Sequence, residues 1–395
     1  SGNTSGYTVT AGNSTVTVTD TVMNGYTKGV STWNGRIFGG GILQYTSDSS
    51  LTIASTHVTA SGITGLDTEQ GSGEVTHNPG VRIFGGGQVY DDGSAKNNTL
   101  TVKESFVELT GTNSEVLDVI GGSSISGTNR NEDNTVVLGA SEVHVSDATV
   151  TNWVLGGNEV NWFGSGRVEG DTTVTVDGSA TVGTIIGANA ATFWGGYIFG
   201  SGVRQASMDG NASITVSGNS SANLVIGAGY AESSHESGDP SVGDGTTTGR
   251  TENDLNSASV STLTGNTQIL VSDSATVGVL AGAGYSWTDA SYYIDGELKQ
   301  TQRGDATMTG TAGSTVAGGS VGQWILGGLA EGYGQSNLNG DAVGTLTAGE
   351  ADLVVVGGLG SAVKVYDLEY SSASNKASIK DNTETSIGES KISGN

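Results

Sequence analysis

The chain has no cysteine, only 2 prolines, few cations and few aromatic residues in a length of 395. Without cysteine it can build neither a disulfide framework nor a thiolate metal site. Lys and Arg number 15 against 40 Asp and Glu, a formal charge of −25. A nucleic-acid binder needs cations to displace phosphate counterions, so that class is set aside, and an anionic membrane surface repels such a chain as well. No run approaches the roughly 18 apolar residues of a spanning helix, and Ser1 is not followed by a basic and then an apolar leader segment. The reading is a mature or excised, exported chain that is not embedded in a membrane. No stretch combines a 3.6-residue apolar period with caps, so negligible helix is expected.

What is abundant is glycine, 66 residues of it, with Thr, Ser and Asn in place of charge. Glycine this frequent without proline does not suit collagen or most linkers, and it fits an all-β chain with many corners. The unit is clearest in Thr172–Ala188, TTVTVDGSATVGTIIGA. It alternates Thr and Val, turns at Asp177-Gly178, alternates again and closes with Ile185-Ile186 against Gly187. Similar units occupy 212–230 and 268–285. Apolar pairs closed by glycine mark nine copies, at Gly39, Gly85, Gly121, Gly156, Gly187, Gly227, Gly282, Gly327 and Gly357, spaced 30 to 55 positions apart.

Period-two alternation places Val16, Val18, Val174, Val176, Ile214 and Val216 on one face, which should be inside. One strand pair cannot bury that face, but stacking each repeat on the last buries it continuously. The expected fold is therefore an all-β parallel β-helix, or β-solenoid, taken as right-handed, with about nine to ten irregular coils and loop insertions. A β-propeller of ~40-residue blades is the alternative. The adjacent apolar pair implies a bend before each corner. Variable segments follow the glycines and are expected to return through turns at Gly170-Asp171, Gly210-Asn211, Gly304-Asp305 and Gly340-Asp341. The chain reads as one domain, 1–395, with a mobile loop at 231–258 and an incomplete terminal coil at 371–395.

Chemistry-bearing motifs are sparse. Gly318-Gly319-Ser320-Val321-Gly322 spells a nucleophile elbow but lies inside a glycine-rich β repeat. His57, His77, His144 and His235 lack metal-binding spacing and read as surface or turn residues. The carboxylate pairs Asp91-Asp92, Glu132-Asp133 and Asp239 with Asp244 are too scattered to place a hydrolase, so no catalytic residue is assigned. No cofactor is expected; Asp20, Asp147 and Asp273 recur at one turn and make calcium the one alternative, with solvent-facing Asx turns as the simpler reading. Arg303-Gly304-Asp305 is read as a return turn before it is read as an integrin ligand.

Aromatic residues are the most suggestive signal. Trp162, Phe163, Phe193, Trp194, Tyr197, Tyr230, Tyr285, Trp287, Tyr292, Tyr293 and Tyr333 all follow a glycine corner. Stacked coils would bring them to one side, as a surface for a glycan or a protein, or as small satellite cores over the insertions.

Modules such as TVTVDGSATVGTIIGA and ANLVIGAGYA, tandem and separated by polar loops, resemble the passenger domains of bacterial type V autotransporters and other large β-solenoid adhesins. The resemblance covers 8 to about 390 and rests on texture and repeat. It implies a non-enzymatic protein displayed outside the bacterial cell, mediating attachment, autoaggregation or biofilm formation through a host or bacterial glycan or protein, or through itself. A fibre subunit and a carbohydrate-active β-helix enzyme are the alternatives.

Overall fold

The computed structural model describes residues 4–24, 35–44, 46–66, 80–91, 96–127, 134–161, 164–192, 203–233, 258–288, 292–294, 297–299, 303–332, 334–361, 378–379 and 389–392. Each coil has four strand segments, the first two continuous in strands such as Thr99–Thr110 and Thr135–Ser146 and the second and third continuous in Ala312–Ile325 and Ala342–Val355. Around the 172–188 unit they are Gly164–Val168, Thr172–Asp177, Thr181–Ile186 and Ala190–Thr192. The next coil repeats them at Val203–Asp209, Ala212–Val216, Ser221–Ile226 and Tyr230–Ser233. Partners run parallel and in register, Val174 beside Ile214 and Ile185 beside Val225. Fourth strands from Ile42–Gln44 to Leu359–Ser361 define nine coils. Parallel pairing between successive repeats makes a solenoid, and it overturns the propeller, whose strands pair within a blade. Among the described residues there is no helix, and none long and apolar enough to cross a membrane.

The first three strands of the coils join in one long sheet of 24 strands, and the fourth strands form a separate short sheet. The valine faces are inside: Val174, Val176, Ile214 and Val216 are buried together with Val58, Val107, Val143 and Ile269. Val16 and Val18, in the first coil, are only half-buried. A second inner column collects Leu100, Leu138, Val168, Met208 and Leu263 from the first strands. Polar braces cross the interior at the start of the second strand. Ser141, Thr172 and Thr267 donate to the carbonyls of Gly156, Gly187 and Gly282 at 2.5, 2.6 and 2.7 Å, each fifteen residues on.

The corner glycines follow from that close approach. A Cβ on Gly187 would overlap the Gly227 carbonyl oxygen and press on Ala212, and one on Gly156 would overlap the Gly187 carbonyl. The register corrects three sequence alignments. Ile325 pairs with Ala281, which pairs with Ile226, so Leu326, not Gly327, holds the corner position in its coil, and Val355 pairs with Ile325, so Val356, not Gly357, holds it in the next. The following coil leaves room there with Gly344, where a Cβ would overlap the Leu326 side chain. Gly304-Asp305 is not a turn. Arg303 pairs with Ala258 at the start of a strand, and Gly304 is buried. The turn belongs to Gly310, stacked between Gly265 and Gly340, all three at positive φ.

The turn between second and third strands is left-handed in all nine coils, at Asp20, Gly62, Gly111, Asp147, Gly178, Gly218, Asp273, Gly319 and Gly349. Glycine and aspartate are the residues that tolerate this region. The Asp147 carboxylate accepts from Ser179 N at 2.8 Å, and that of Asp273 from Gly218 N at 3.1 Å. The turns face solvent as expected, and there these side chains also tie neighbouring coils together. Among the described residues no three His or carboxylate groups converge on a cation-sized position.

At the C-terminal end, Glu389–Ile392 pairs in parallel with Gln335–Asn339 and begins a further coil. Among the described residues the 14-residue strand Ala342–Val355 pairs only with Ala312–Ile325, and Leu346 and Val354 of the inner columns are exposed there. The bulk of the 231–258 loop, at 234–257, and the remainder of 371–395 lie outside the described residues.

Candidate functional site: the outer elbow

The apolar pair before each corner divides between two cores. Ile185 points into the inner column, while Ile186, one residue on, faces the opposite side and joins Phe84, Ile120, Leu155 and Ile226. The fourth strand then turns back so that its first and third residues share that side. Its second residue, Val89, Ile125, Val160 or Ala191, is buried on the other. Third and fourth strands thus enclose an elbow outside the inner columns. Two asparagines fix its corner. Asn158 Oδ1 accepts from Ser123 N at 2.8 Å and Asn189 Oδ1 from Asn158 N at 2.7 Å, while their amides donate to the Arg167 and Ser207 carbonyls.

In the early coils the elbow holds an ionic cluster. Arg36, Arg82, Asp118 and Trp153 stand in register on successive third strands. The Arg82 guanidinium donates to Asp118 at 2.5 Å and to Glu159 at 2.6 Å, and both carboxylates are almost fully buried. Asp118 also accepts from the Asn152 amide and from Trp153 N, and Glu159 from the Ser124 hydroxyl at 2.8 Å. Burial works against the charge on Arg82, but Glu159 and Asp118 outweigh it and hold that guanidinium above its ordinary value. For Asp118 burial wins over Arg82 and raises the carboxyl. Arg36 is lowered by burial and then by Arg82, its neighbour in register. Phe38 and Phe84 stack beside the arginines at 4.9 Å, and Arg82 lies 5.0 Å from the Phe84 ring.

In later coils aromatic residues take over. Trp153 and Tyr230 meet edge to face at 5.5 Å across the coil that carries Thr184 and Ala190, whose small side chains leave the space between them. Tyr285 follows in register 5.1 Å from Tyr230. The Tyr230 hydroxyl donates to Glu232 at 2.8 Å, and Tyr285 hydrogen-bonds Glu331. Burial, then Glu232, pushes the Tyr230 phenol well above its usual range; burial, then Glu331, does the same for Tyr285. Burial raises Glu331 despite the tyrosine donor.

Three of the predicted aromatic residues, Tyr230, Tyr285 and Trp287, are therefore gathered, on the fourth strands themselves and not in the insertions after them. Tyr292 and Tyr293 lie on Tyr292–Ile294, antiparallel to Glu297–Lys299. Trp162, Phe163, Phe193, Trp194, Tyr197 and Tyr333 lie outside the described residues, as do His77 and His235. So, wholly or in part, do the three carboxylate pairs. Ser320 sits mid-strand in Ala312–Ile325, beside Thr276, with no strand-to-helix turn. His57 is exposed and packs on Phe106 at 4.4 Å, and half-buried His144 lies between Glu108 and Asp177 at 3.6 and 3.0 Å, so both are surface residues as expected. The elbow residues that sequence reasoning missed are Arg82, Asp118, Trp153, Glu159, Glu232 and Glu331. One signal was legible: Arg-Ile-Phe-Gly-Gly occurs twice, at 36–40 and 82–86.

No protein-family model, no curated protein and no solved structure matches this chain.

Proposed function

We propose that this chain is a binding rod displayed outside a bacterial cell, non-enzymatic, which attaches the cell to a surface glycan or protein or to another cell. The observation that carries the reading is the outer elbow. There, polar, ionic and aromatic side chains are aligned from coil to coil along one side of a solenoid whose other columns are mostly valine, threonine and glycine. Binding surfaces are rich in aromatic residues with polar groups close by. The acidic surface keeps an elongated molecule soluble and limits indiscriminate side-by-side association, and the autotransporter-like repeat texture supports export.

The test is attachment. Purified chain, or chain displayed on a non-adherent bacterium, should bind cells or surface-coated glycans, or cause aggregation, and soluble chain should compete. Absence of attachment, glycan binding and self-association together would contradict the proposal. A second reading, a fibre subunit, is favoured by the edge of Ala342–Val355, which carries no further strand among the described residues and exposes Leu346 and Val354, since an unpaired strand edge accepts another strand. Electron microscopy at rising concentration separates the two: discrete short rods count against the fibre, and end-to-end filaments favour it.

A further inference from the structure

The third residue of each fourth strand carries a pattern that packing does not require. The second positions, turned inward, are Leu43, Val89, Ile125, Val160 and smaller residues. The third positions whose side chains are described, facing the elbow, are Gln44, Tyr90, Asn161, Glu232, Trp287 and Glu331, and none of these six is aliphatic or cationic. Glu232, Trp287 and Glu331 are direct partners on consecutive coils. The column runs along the solenoid axis in steps of ~4.8 Å. Asn161 adds a second observation, since its Oδ1 is buried and has no hydrogen-bond partner, an arrangement native proteins rarely leave unfilled.

We infer that this column is a rail for a neutral polysaccharide chain lying parallel to the solenoid axis. The half-buried Trp287 offers an indole for the C–H face of a sugar ring. The half-buried Glu331 carboxylate, one coil beyond Trp287, accepts the Tyr285 hydrogen bond and can also accept from a sugar hydroxyl, while Glu232, one coil before, is buried and held by Tyr230. The same carboxylates on a chain of charge −25 repel uronates and sulfated sugars. The rail rests on the proposal that the elbow is a binding face, and it specifies the ligand.

Native affinity electrophoresis tests it, because so acidic a protein migrates readily through gels loaded with polysaccharide. Neutral β-glucan, xylan and galactomannan are compared with polygalacturonate and with polylysine in solution. At least one neutral polymer should retard the chain, and polygalacturonate should not. Trp287→Ala should weaken that retardation by about tenfold or more, the scale of one lost stacking contact. Glu331→Gln, nearly isosteric, should weaken it with an unchanged melting curve, which separates binding from folding. Neutral retardation that survives both substitutions would overturn the rail, as would retardation by polygalacturonate or by polylysine alone. If cells still attach or aggregate while no neutral polymer slows the chain, the rail falls and the binding rod stands; loss of both removes the wider reading.

Discussion

Single residues in this solenoid are constrained chiefly by how closely the neighbouring coil approaches. Gly187 has no room for a methyl group against the Gly227 carbonyl, whereas a Cβ at Gly12 would meet nothing within 4 Å. Gly187→Ala should cost ~1–3 kcal/mol through overpacking, and Gly12→Ala should stay within about 0.5 kcal/mol; urea denaturation of the two variants checks the contrast. The buried phenols give a pH prediction. Tyr230 and Tyr285 have folded-state pKa values raised above the unfolded value near 10. Their contribution to stability is therefore complete below pH 10 and is lost as pH rises through the folded values. Phenolate absorbance should show these two among 12 tyrosines ionising only as the protein unfolds in alkali, and Tyr230→Phe should lessen the alkaline loss.

Among strands, the inner columns were legible from sequence because alternation alone specifies them: Val174, Val176, Ile214 and Val216 are buried as their period requires. The elbow was not. Its residues come from third and fourth strands whose facing depends on a sharp corner, and a pair such as Ile185-Ile186 reads as one apolar block until that corner separates its members. Alignment by glycine also slipped where Leu326 takes the glycine position, since Gly344 on the following coil supplies the space and no local motif records it. The charged part of the elbow makes its own prediction. Arg82→Met leaves Asp118 and Glu159 buried without their cation, and breaking such a cluster costs ~3–5 kcal/mol. Burial already raises the Asp118 carboxyl against the pull of Arg82, and without that cation it should be raised further. The deficit should thus be largest near neutral pH and shrink as pH falls through that raised value. Denaturation at neutral and at mildly acidic pH measures it; an equal loss at both would mean that Arg82 acts by packing alone.

At the scale of the whole molecule, one register carried through nine coils converts a short repeated unit into continuous columns. The inner ones are redundant in chemistry and stabilise the stack. The outer elbow changes from ionic to aromatic along its length, so it can vary without disturbing the valine columns. Most insertions join a fourth strand to the next first strand, at 162–163 in one coil and 234–257 in another, whereas in the first two coils 25–34 and 67–79 interrupt the stretch that is a single third strand at Glu115–Ile120. Their placement explains how repeat spacing varies so widely while the strands stay aligned. Among the described residues Thr8–Thr19 and Ala342–Val355 each pair on one side, and the apolar Leu346 and Val354 are exposed on the latter.

The central claim is that Gln44, Asn161 and Glu331 stand on a single axial column, seven and four coil steps from the end at Glu331. Electron–electron distance measurement between paired spin labels tests it directly. Labels at 44 and 331 should lie about 34 Å apart and labels at 161 and 331 about 19 Å, at ~4.8 Å per coil. Distances that do not scale in that seven-to-four proportion would contradict the continuous stack and, with it, the rail along the elbow.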